Sequence, residues 1–183
     1  MVKAIEIAYY MVDYAHKSEK GCLLSGFKMN SLLFLVQGYS LARLNRRAFK
    51  DKIHKNSYGA FIPEPHGQFR QYGCLFIPRK HVVTNPLYWK ECNTPYYDKY
   101  EVCYRDKATA YATYMCDRLD KKTEKIIKEV YDTYCKMSIP ALNDCIRSMQ
   151  SYKQSDQFFD IDLMKIEFKD IIMKIESNQL PTP

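Results

Sequence analysis

Apolar residues recur at helical spacing through most of the chain. Between residues 2 and 17 they fall on one face of a helix, at Ile5, Ala8, Tyr9, Val12 and Ala15. Steps of three and four residues are typical of an amphipathic helix, and Gly21 is suited to a C-terminal stop. The first element is therefore predicted to be a helix over 2–17.

The stretch from 28 to 44 is predicted to be the central helix. Its helically spaced apolar residues are Met29, Leu32, Leu33, Val36 and Tyr39, and Phe34 and Leu35 make the opposite side apolar too. A helix that is apolar nearly all round is typically buried in a core. Ser25 is a predicted N-cap. Gly38 costs about 1 kcal/mol relative to alanine, and we expect it to admit a neighbouring backbone.

The chain from 48 to 78 is irregular. Weak alternation favours a short extended strand over 48–54, and Pro63 and Pro65 suit the first turn of a helix that Gly73 ends. The apolar run 74–78 fits either a strand or a buried linker.

Periodicity is lost in the segment 79–103, which is instead crowded with aromatic residues. Long connections without periodicity are usually functional or mobile. We predict an aromatic-rich insertion here that supplies part of a partner-binding surface, with the alternative that these side chains fill the core. The residues in question are Tyr88, Trp89, Tyr96, Tyr97 and Tyr100.

Four more helices are predicted in the C-terminal half. One covers 104–117, two follow the N-caps Asp120 and Ser138, and the last runs from Phe158 to Ile175. With no repeat and no linker, the economical fold is mainly α: a single compact multi-helix domain over 1–176, around a buried central helix, with room for a small β element. Residues 177–183 are predicted to be a flexible tail.

Composition fits this class. The 183 residues are 46% hydrophobic and 27% charged, which is ordinary for a globular protein. No apolar run reaches the roughly 18 residues of a membrane span, and the acidic residues in the first helix argue against a signal peptide. A cytoplasmic location is predicted. The seven cysteines include no C-x-x-C pair, so reduced thiols are expected and no zinc site.

The formal net charge of +7 indicates which classes of partner the protein could bind. A positive protein suits acidic proteins or nucleic acids. One local cluster exists, at Arg43, Arg46, Arg47, Lys50 and Lys52, followed by Lys55. Such a cluster is either a solvated face or a basic patch for a nucleic acid.

No enzyme is visible in the sequence. Phosphate-binding loops, dinucleotide fingerprints and H-E-x-x-H motifs are missing. A Cys–His pair at Cys74 is formally open but has no local support, and His66 is predicted to serve a turn. Asp160 and Asp162 fit the acidic first turn of the last helix. We predict no catalytic residues, no metal and no cofactor.

Two motif blocks resemble the Panacea antitoxin-domain family, which includes the phage-associated GepA and SocA-like proteins. The family opening, roughly L-x-K-L-L-Y-x-x-Q-G-W, is similar to residues 29–39, where Gln37-Gly38 is retained and Ser31 replaces the lysine. The next block, roughly W-x-Y-G-P-V-x-P and F-x-x-Y-G, is similar to 56–63 and 69–73. Near the end, a Thr-His pair of the family corresponds to Ile146-Arg147.

The resemblance implies a phage-associated or bacterial antitoxin that neutralises a cognate protein toxin by binding it. It also implies the alternative of an adaptor that delivers a toxin to a protease. The net charge leaves a third alternative open, a nucleic-acid-binding regulator. None of these functions needs a cofactor or a membrane, and the oligomeric state is open.

Overall fold

The computed structural model describes residues 2–79 and 119–177, which form helices and one small sheet. The element order alternates long helices with short connections. The bounds are α1 Ala4–Lys17, α2 Gly26–Leu44, β1 His54–Asn56, β2 Gly59–Phe61, α3 Pro63–Phe69 with a 3-10 turn Arg70–Tyr72, α4 Lys121–Tyr134, α5 Ile139–Ser148, α6 Gln150–Gln154 and α7 Ile161–Glu176.

Helix α2 is the centre of the fold, as predicted. It contacts α1, α3, α4, α5 and α7, and its side chains are buried on every face through most of its length. Leu33 and Phe34, which are neighbours in sequence and point in different directions, are both fully buried. The prediction of a mainly helical compact domain around this helix is confirmed.

Short polar side chains begin the helices at the predicted positions. The Ser25 hydroxyl accepts from the Lys28 amide, Asp120 accepts from Thr123, and Ser138 accepts from Ala141. Each cap satisfies an amide that the first helical turn leaves without a partner. Asp160 caps α7 in the same way, so the prediction of an acidic α7 start is confirmed.

The β element lies later than predicted. The strand expected over 48–54 is wrong except at its last residue, because β1 begins at His54 and pairs antiparallel with β2. The amides of Ala48 and Phe49 instead donate to the Gln37 side chain. Backbone hydrogen bonds also join the segment 157–159 to the outer edge of β1, where His54 and Phe158 form an isolated β-bridge.

The space at Gly38 is filled by an aromatic ring and not by a neighbouring backbone. A β-carbon at this position would overlap the Phe168 ring of α7, so the predicted close backbone approach is wrong here. Such an approach occurs at Gly26 instead, where a β-carbon would overlap the carbonyl of Phe69. Phe168 is fully buried, so Gly38 sets how closely α7 can approach α2.

Two further boundaries differ from prediction. The run 74–78 is neither a strand nor a buried linker, because Leu75 and Phe76 are exposed and only Ile77 is fully buried. The last helix begins at Ile161, and Phe158 precedes it in the strand segment beside β1. The predicted helix 104–117 and nearly all of the aromatic-rich insertion lie outside the described residues. No helix in 2–79 or 119–177 is long and apolar enough to cross a membrane.

Candidate functional site

Gln37 of the first motif block is a structural residue. Its side chain is fully buried, and its Oε1 accepts hydrogen bonds from the amides of Ala48 at 2.9 Å and Phe49 at 3.2 Å. Its Nε2 donates to the Phe49 carbonyl at 3.4 Å. A buried amide without a partner costs about 1–3 kcal/mol. The Gln37 side chain therefore fixes the position of Ala48 and Phe49, in the segment that follows α2.

Other polar side chains of α2 act in the same way. Asn30 accepts from the Ile62 amide at 3.0 Å and anchors the end of the hairpin. Ser40 donates to the Arg46 carbonyl at 2.9 Å. The Tyr39 and Tyr134 hydroxyls lie 3.0 Å apart, and burial, reinforced by Tyr39, raises the pKa of Tyr134. These groups have internal partners, so they form the frame of the molecule.

The tip of the β-hairpin presents a motif residue to solvent. Tyr58 is 74% exposed, although its backbone amide is fixed by Asn56 Oδ1 at 2.9 Å. Arg147 of α5 donates to the Ser57 carbonyl at 3.3 Å and pairs with Asp144. Hydrogen bonds with Asn56 and Arg147 therefore order the backbone of the tip, while the Tyr58 ring is exposed to solvent.

Gly59 begins β2 after the tip in a backbone conformation that favours glycine. Its φ of 121° is a conformation that glycine adopts far more readily than other residues. The position faces Ile146, with 3.7 Å between a β-carbon there and Cγ2 of Ile146. Ser31 of α2 also reaches α5, donating to Asn143 at 2.9 Å. Residues of both motif blocks thus meet α5 at one place.

A row of rings crosses the small sheet at the end of the strands away from this tip. His54 pairs in register with Phe61 on one side and Phe158 on the other, with ring centroids 6.0 Å and 4.6 Å apart. The Lys52 ammonium lies 4.9 Å from the Phe158 ring centroid. His66 stacks on Phe61 at 4.8 Å from within α3, so its predicted place in a turn is wrong.

We call this region the hairpin surface and define it by six residues. They share an exposed or half-exposed side chain on or near the two-stranded sheet or the segment bridged to it. They are Lys52, His54, Tyr58, Phe61, Arg147 and Phe158.

A second exposed apolar region lies at the start of α2. Phe27, Leu75 and Phe76 are 45%, 73% and 61% exposed. The Phe27 amide donates to the Gly73 carbonyl, and Ser25 and Phe76 form an isolated β-bridge, so the three residues lie on adjoining backbone. We call them the apolar corner.

A protein-family comparison decides the identity of the domain. The family model described as "Antitoxin SocA-like, Panacea domain" matches residues 29–150, which is more than half of the chain. The chain belongs to this family. No curated protein and no solved structure matches the chain.

The match covers both the frame and much of the hairpin surface. Within the Panacea match lie α2 from Met29 onward, the hairpin, α3, α4 and α5. Phe158 and α7 lie beyond it, although Phe158 completes the row of rings and Phe168 fills the space at Gly38. The C-terminal part of the chain therefore contributes to the same body as the matched domain.

The predicted basic cluster is divided by carboxylates. Arg43 lies 2.8 Å from Glu129 and 3.3 Å from Glu176, and Arg46 lies 2.6 Å from Asp120. Burial alone would raise the pKa of Asp120, but hydrogen bonds from Arg46 and Thr123 outweigh it and hold the pKa at about 2. Two of the five predicted basic residues are thus neutralised within the fold.

The other cations are exposed and lie along the connection to β1. Arg47, Lys50 and Lys52 form no ion pair within residues 2–79 and 119–177. Lys55 is half-buried and donates to the Ser155 carbonyl at 2.6 Å. The predicted basic patch is accordingly reduced to three free cations, the last of which is part of the hairpin surface.

The remaining predicted residues give no catalytic arrangement in the described chain. Cys74 is exposed and has no hydrogen bond to a histidine within the described residues. Burial raises the pKa of Cys135 to about 11, which disfavours the nucleophilic thiolate. No group of three metal-ligating side chains occurs in 2–79 or 119–177. The aromatic residues from Tyr88 to Tyr100 fall outside the described chain.

Sequence reasoning missed the hairpin surface as a unit. Its members are spread over 52–61, 147 and 158, and the registers that join them involve contacts about a hundred residues apart. The one available signal was Tyr58, a motif residue next to a glycine. A motif alone does not reveal that the ring is exposed.

Proposed function

We propose that this protein is an antitoxin that neutralises a cognate protein toxin by binding it directly in the cytoplasm. Its membership of the Panacea family supports a toxin as the partner. The observation that carries direct binding is the division within the motif blocks: Gln37 and Asn30 are bonded inside the fold, whereas Tyr58 is 74% exposed.

Direct binding needs a rigid frame and a few exposed anchors. Tyrosine, tryptophan and arginine most often carry the energy of protein interfaces. The hairpin surface offers Tyr58 and Arg147 on backbone that hydrogen bonds already fix. A preordered surface loses less conformational entropy on binding. Neutralisation by binding requires no catalytic group of this protein.

The aromatic-rich insertion remains a predicted contributor to the same interface. Its test is the double substitution Trp89→Ala and Tyr97→Ala, read by melting temperature and by toxin affinity. Weaker binding with an unchanged melting temperature would support the prediction. Unchanged affinity, or loss of the fold, would remove the insertion from the interface.

The experiment that tests the proposed function is co-expression with the products of neighbouring genes. We expect one of them to arrest growth when expressed alone and to be harmless with this protein. The two purified proteins should form a complex measurable by calorimetry. Absence of any such toxin, or rescue without a complex, would contradict the proposal.

The protease-adaptor alternative makes a different prediction in the same cells. Direct neutralisation leaves the toxin present at an undiminished level, because it is held in a complex. Delivery to a protease lowers the toxin level, and the toxin persists when the protease is removed. Immunoblotting of the toxin over time separates the two.

A further inference from the structure

We propose that the toxin is bound at the hairpin surface, and that the part of the toxin seated there is an apolar side chain surrounded by carboxylates. This inference rests on the proposed function and adds the place and the chemistry of the contact. Three observations carry it: the order of the hairpin tip, the row of rings and the uncompensated charge beside them.

The hairpin tip combines a fixed backbone with a free ring. The Tyr58 amide is held by Asn56, and the preceding Ser57 carbonyl is held by Arg147. The Tyr58 hydroxyl has no hydrogen-bond partner in the described residues, and the side chain contributes little to the core at 74% exposure. A large aromatic side chain in this position buries little of its surface inside the fold. Contact with a partner would bury that surface and contribute to binding.

The row of rings supplies an ordered apolar floor on the same hairpin, at the end of the strands away from the Tyr58 tip. Strand pairing sets His54 between Phe61 and Phe158, and each ring is held by its neighbour. Phe158 is 37% exposed. The interplanar angles are 81° for His54–Phe61 and 57° for His54–Phe158, so the rings pack edge to face or tilted against one another and are held in fixed orientations.

The charge beside the rings selects an acidic partner. Lys52 lies over Phe158 without a carboxylate partner in the described chain, and Lys50 and Arg47 lead up to it. Asp51, between Lys50 and Lys52 in sequence, forms no ion pair with them in the described residues, and its Oδ2 accepts from the Ala4 amide at 2.7 Å. Complementary carboxylates on the toxin would accelerate association and set its orientation.

The same charges are too few for a nucleic acid. Proteins that depend on phosphate contacts commonly make about 6–10 of them, whereas Arg47, Lys50 and Lys52 are the three free cations of the described cluster. Sequence-independent binding of a single strand also needs a charged groove that follows the backbone, and these three cations lie within one short stretch, 47–52. The observations therefore favour a protein as the occupant.

The test uses the full-length protein and the toxin found by co-expression. The double variant Tyr58→Ala, Lys52→Glu should bind the toxin at least roughly thirtyfold more weakly by calorimetry, with an unchanged melting temperature. Lys52→Arg should keep the affinity within about threefold, because the charge remains. The matched control is Phe76→Ala in the apolar corner, another exposed aromatic residue, which should also stay within about threefold.

The outcomes separate this inference from the proposed function. If the wild-type protein neutralises no toxin, both are overturned. If the wild type neutralises and the double variant binds equally well, only the hairpin surface is overturned. If only Phe76→Ala lost binding, the toxin contact would lie at the apolar corner, and the hairpin surface would be overturned as the site. Tight, salt-sensitive binding of a labelled DNA strand of about 20 nucleotides that is lost in the double variant would show that the hairpin surface binds a nucleic acid. It would overturn the inference that a protein binds there.

Discussion

The interior of α2 and the hairpin surface lie within one family match but have opposite relations to solvent. In α2 the motif residue Gln37 is fully buried and has three hydrogen bonds to backbone groups. At the hairpin, the motif residue Tyr58 is exposed and its hydroxyl has no partner in the described residues. A family motif can therefore contain residues kept for folding beside residues available for binding.

The comparison predicts that substitutions in α2 and its neighbours lower stability, whereas substitutions on the hairpin surface lower only binding. The largest loss should follow Phe168→Ala, because the ring is fully buried against α2. We expect the free energy of unfolding to fall by about 3–5 kcal/mol, measured by urea denaturation. Phe76→Ala, at 61% exposure, should change it by less than about 0.5 kcal/mol. Equal losses in both would contradict the proposed core.

Gln37→Leu should be next in size. Leucine preserves most of the volume but leaves the Ala48 and Phe49 amides without acceptors, which costs about 2–4 kcal/mol. The control is Gln71→Leu, where the side chain is exposed and, within the described residues, donates to the nearby Gln68 carbonyl. Amide exchange at 48 and 49 should accelerate in the Gln37 variant. Protection that stays at the wild-type level would show that the side chain does not hold this turn.

Gly38→Ala should destabilise the fold despite the higher helix propensity of alanine. The new methyl group overlaps the Phe168 ring, and overpacking costs about 1–3 kcal/mol. Gly67→Ala in α3 is the matched control, since a β-carbon there meets nothing within 4 Å and alanine should stabilise by up to about 1 kcal/mol. Thermal unfolding should show a lower melting temperature for Gly38→Ala and an unchanged or higher one for Gly67→Ala. Stabilisation by both would refute the close approach of α7.

Tyr58→Ala should leave stability within about 0.5 kcal/mol of wild type, because exposed side chains contribute little to folding. Circular dichroism melting checks this. A large loss of stability would place Tyr58 in the frame and would remove the distinction between the two regions.

The last prediction concerns stability in acid. The folded pKa of Asp120 is about 2, below its ordinary value of 3.8, so its ion pair with Arg46 stabilises the protein fully above about pH 4. That contribution is lost as the pH falls toward 2. Asp120→Asn should therefore flatten the decline of stability over this interval and leave its slope at neutral pH unchanged. An identical acid profile in the variant would contradict the depressed pKa.

Local patterns predicted the frame well. The all-round apolar character of α2 implied its burial, and short polar residues marked the helix starts at Ser25, Asp120 and Ser138. These signals depend on neighbours within a few residues. The size of the domain and its helical class follow from the same signals.

Features set by distant contacts could not be predicted. Phe158 lies at helical spacing from the apolar residues of α7, so only its pairing with His54 shows that it precedes the helix. The cluster at Arg43 resembled a basic patch because its acidic partner Glu129 is 86 residues away in sequence. The exposure of Tyr58 likewise depends on where α5 lies, which no local pattern records.

Hydrogen exchange of this protein, free and bound to a toxin identified by co-expression, tests the central claim most directly. The account predicts that the toxin slows amide exchange chiefly at 54–61 and at 157–159, while the already protected amides of α2 stay unchanged. Slowed exchange confined to 24–28 and 73–78 would place the toxin on the apolar corner and contradict the account.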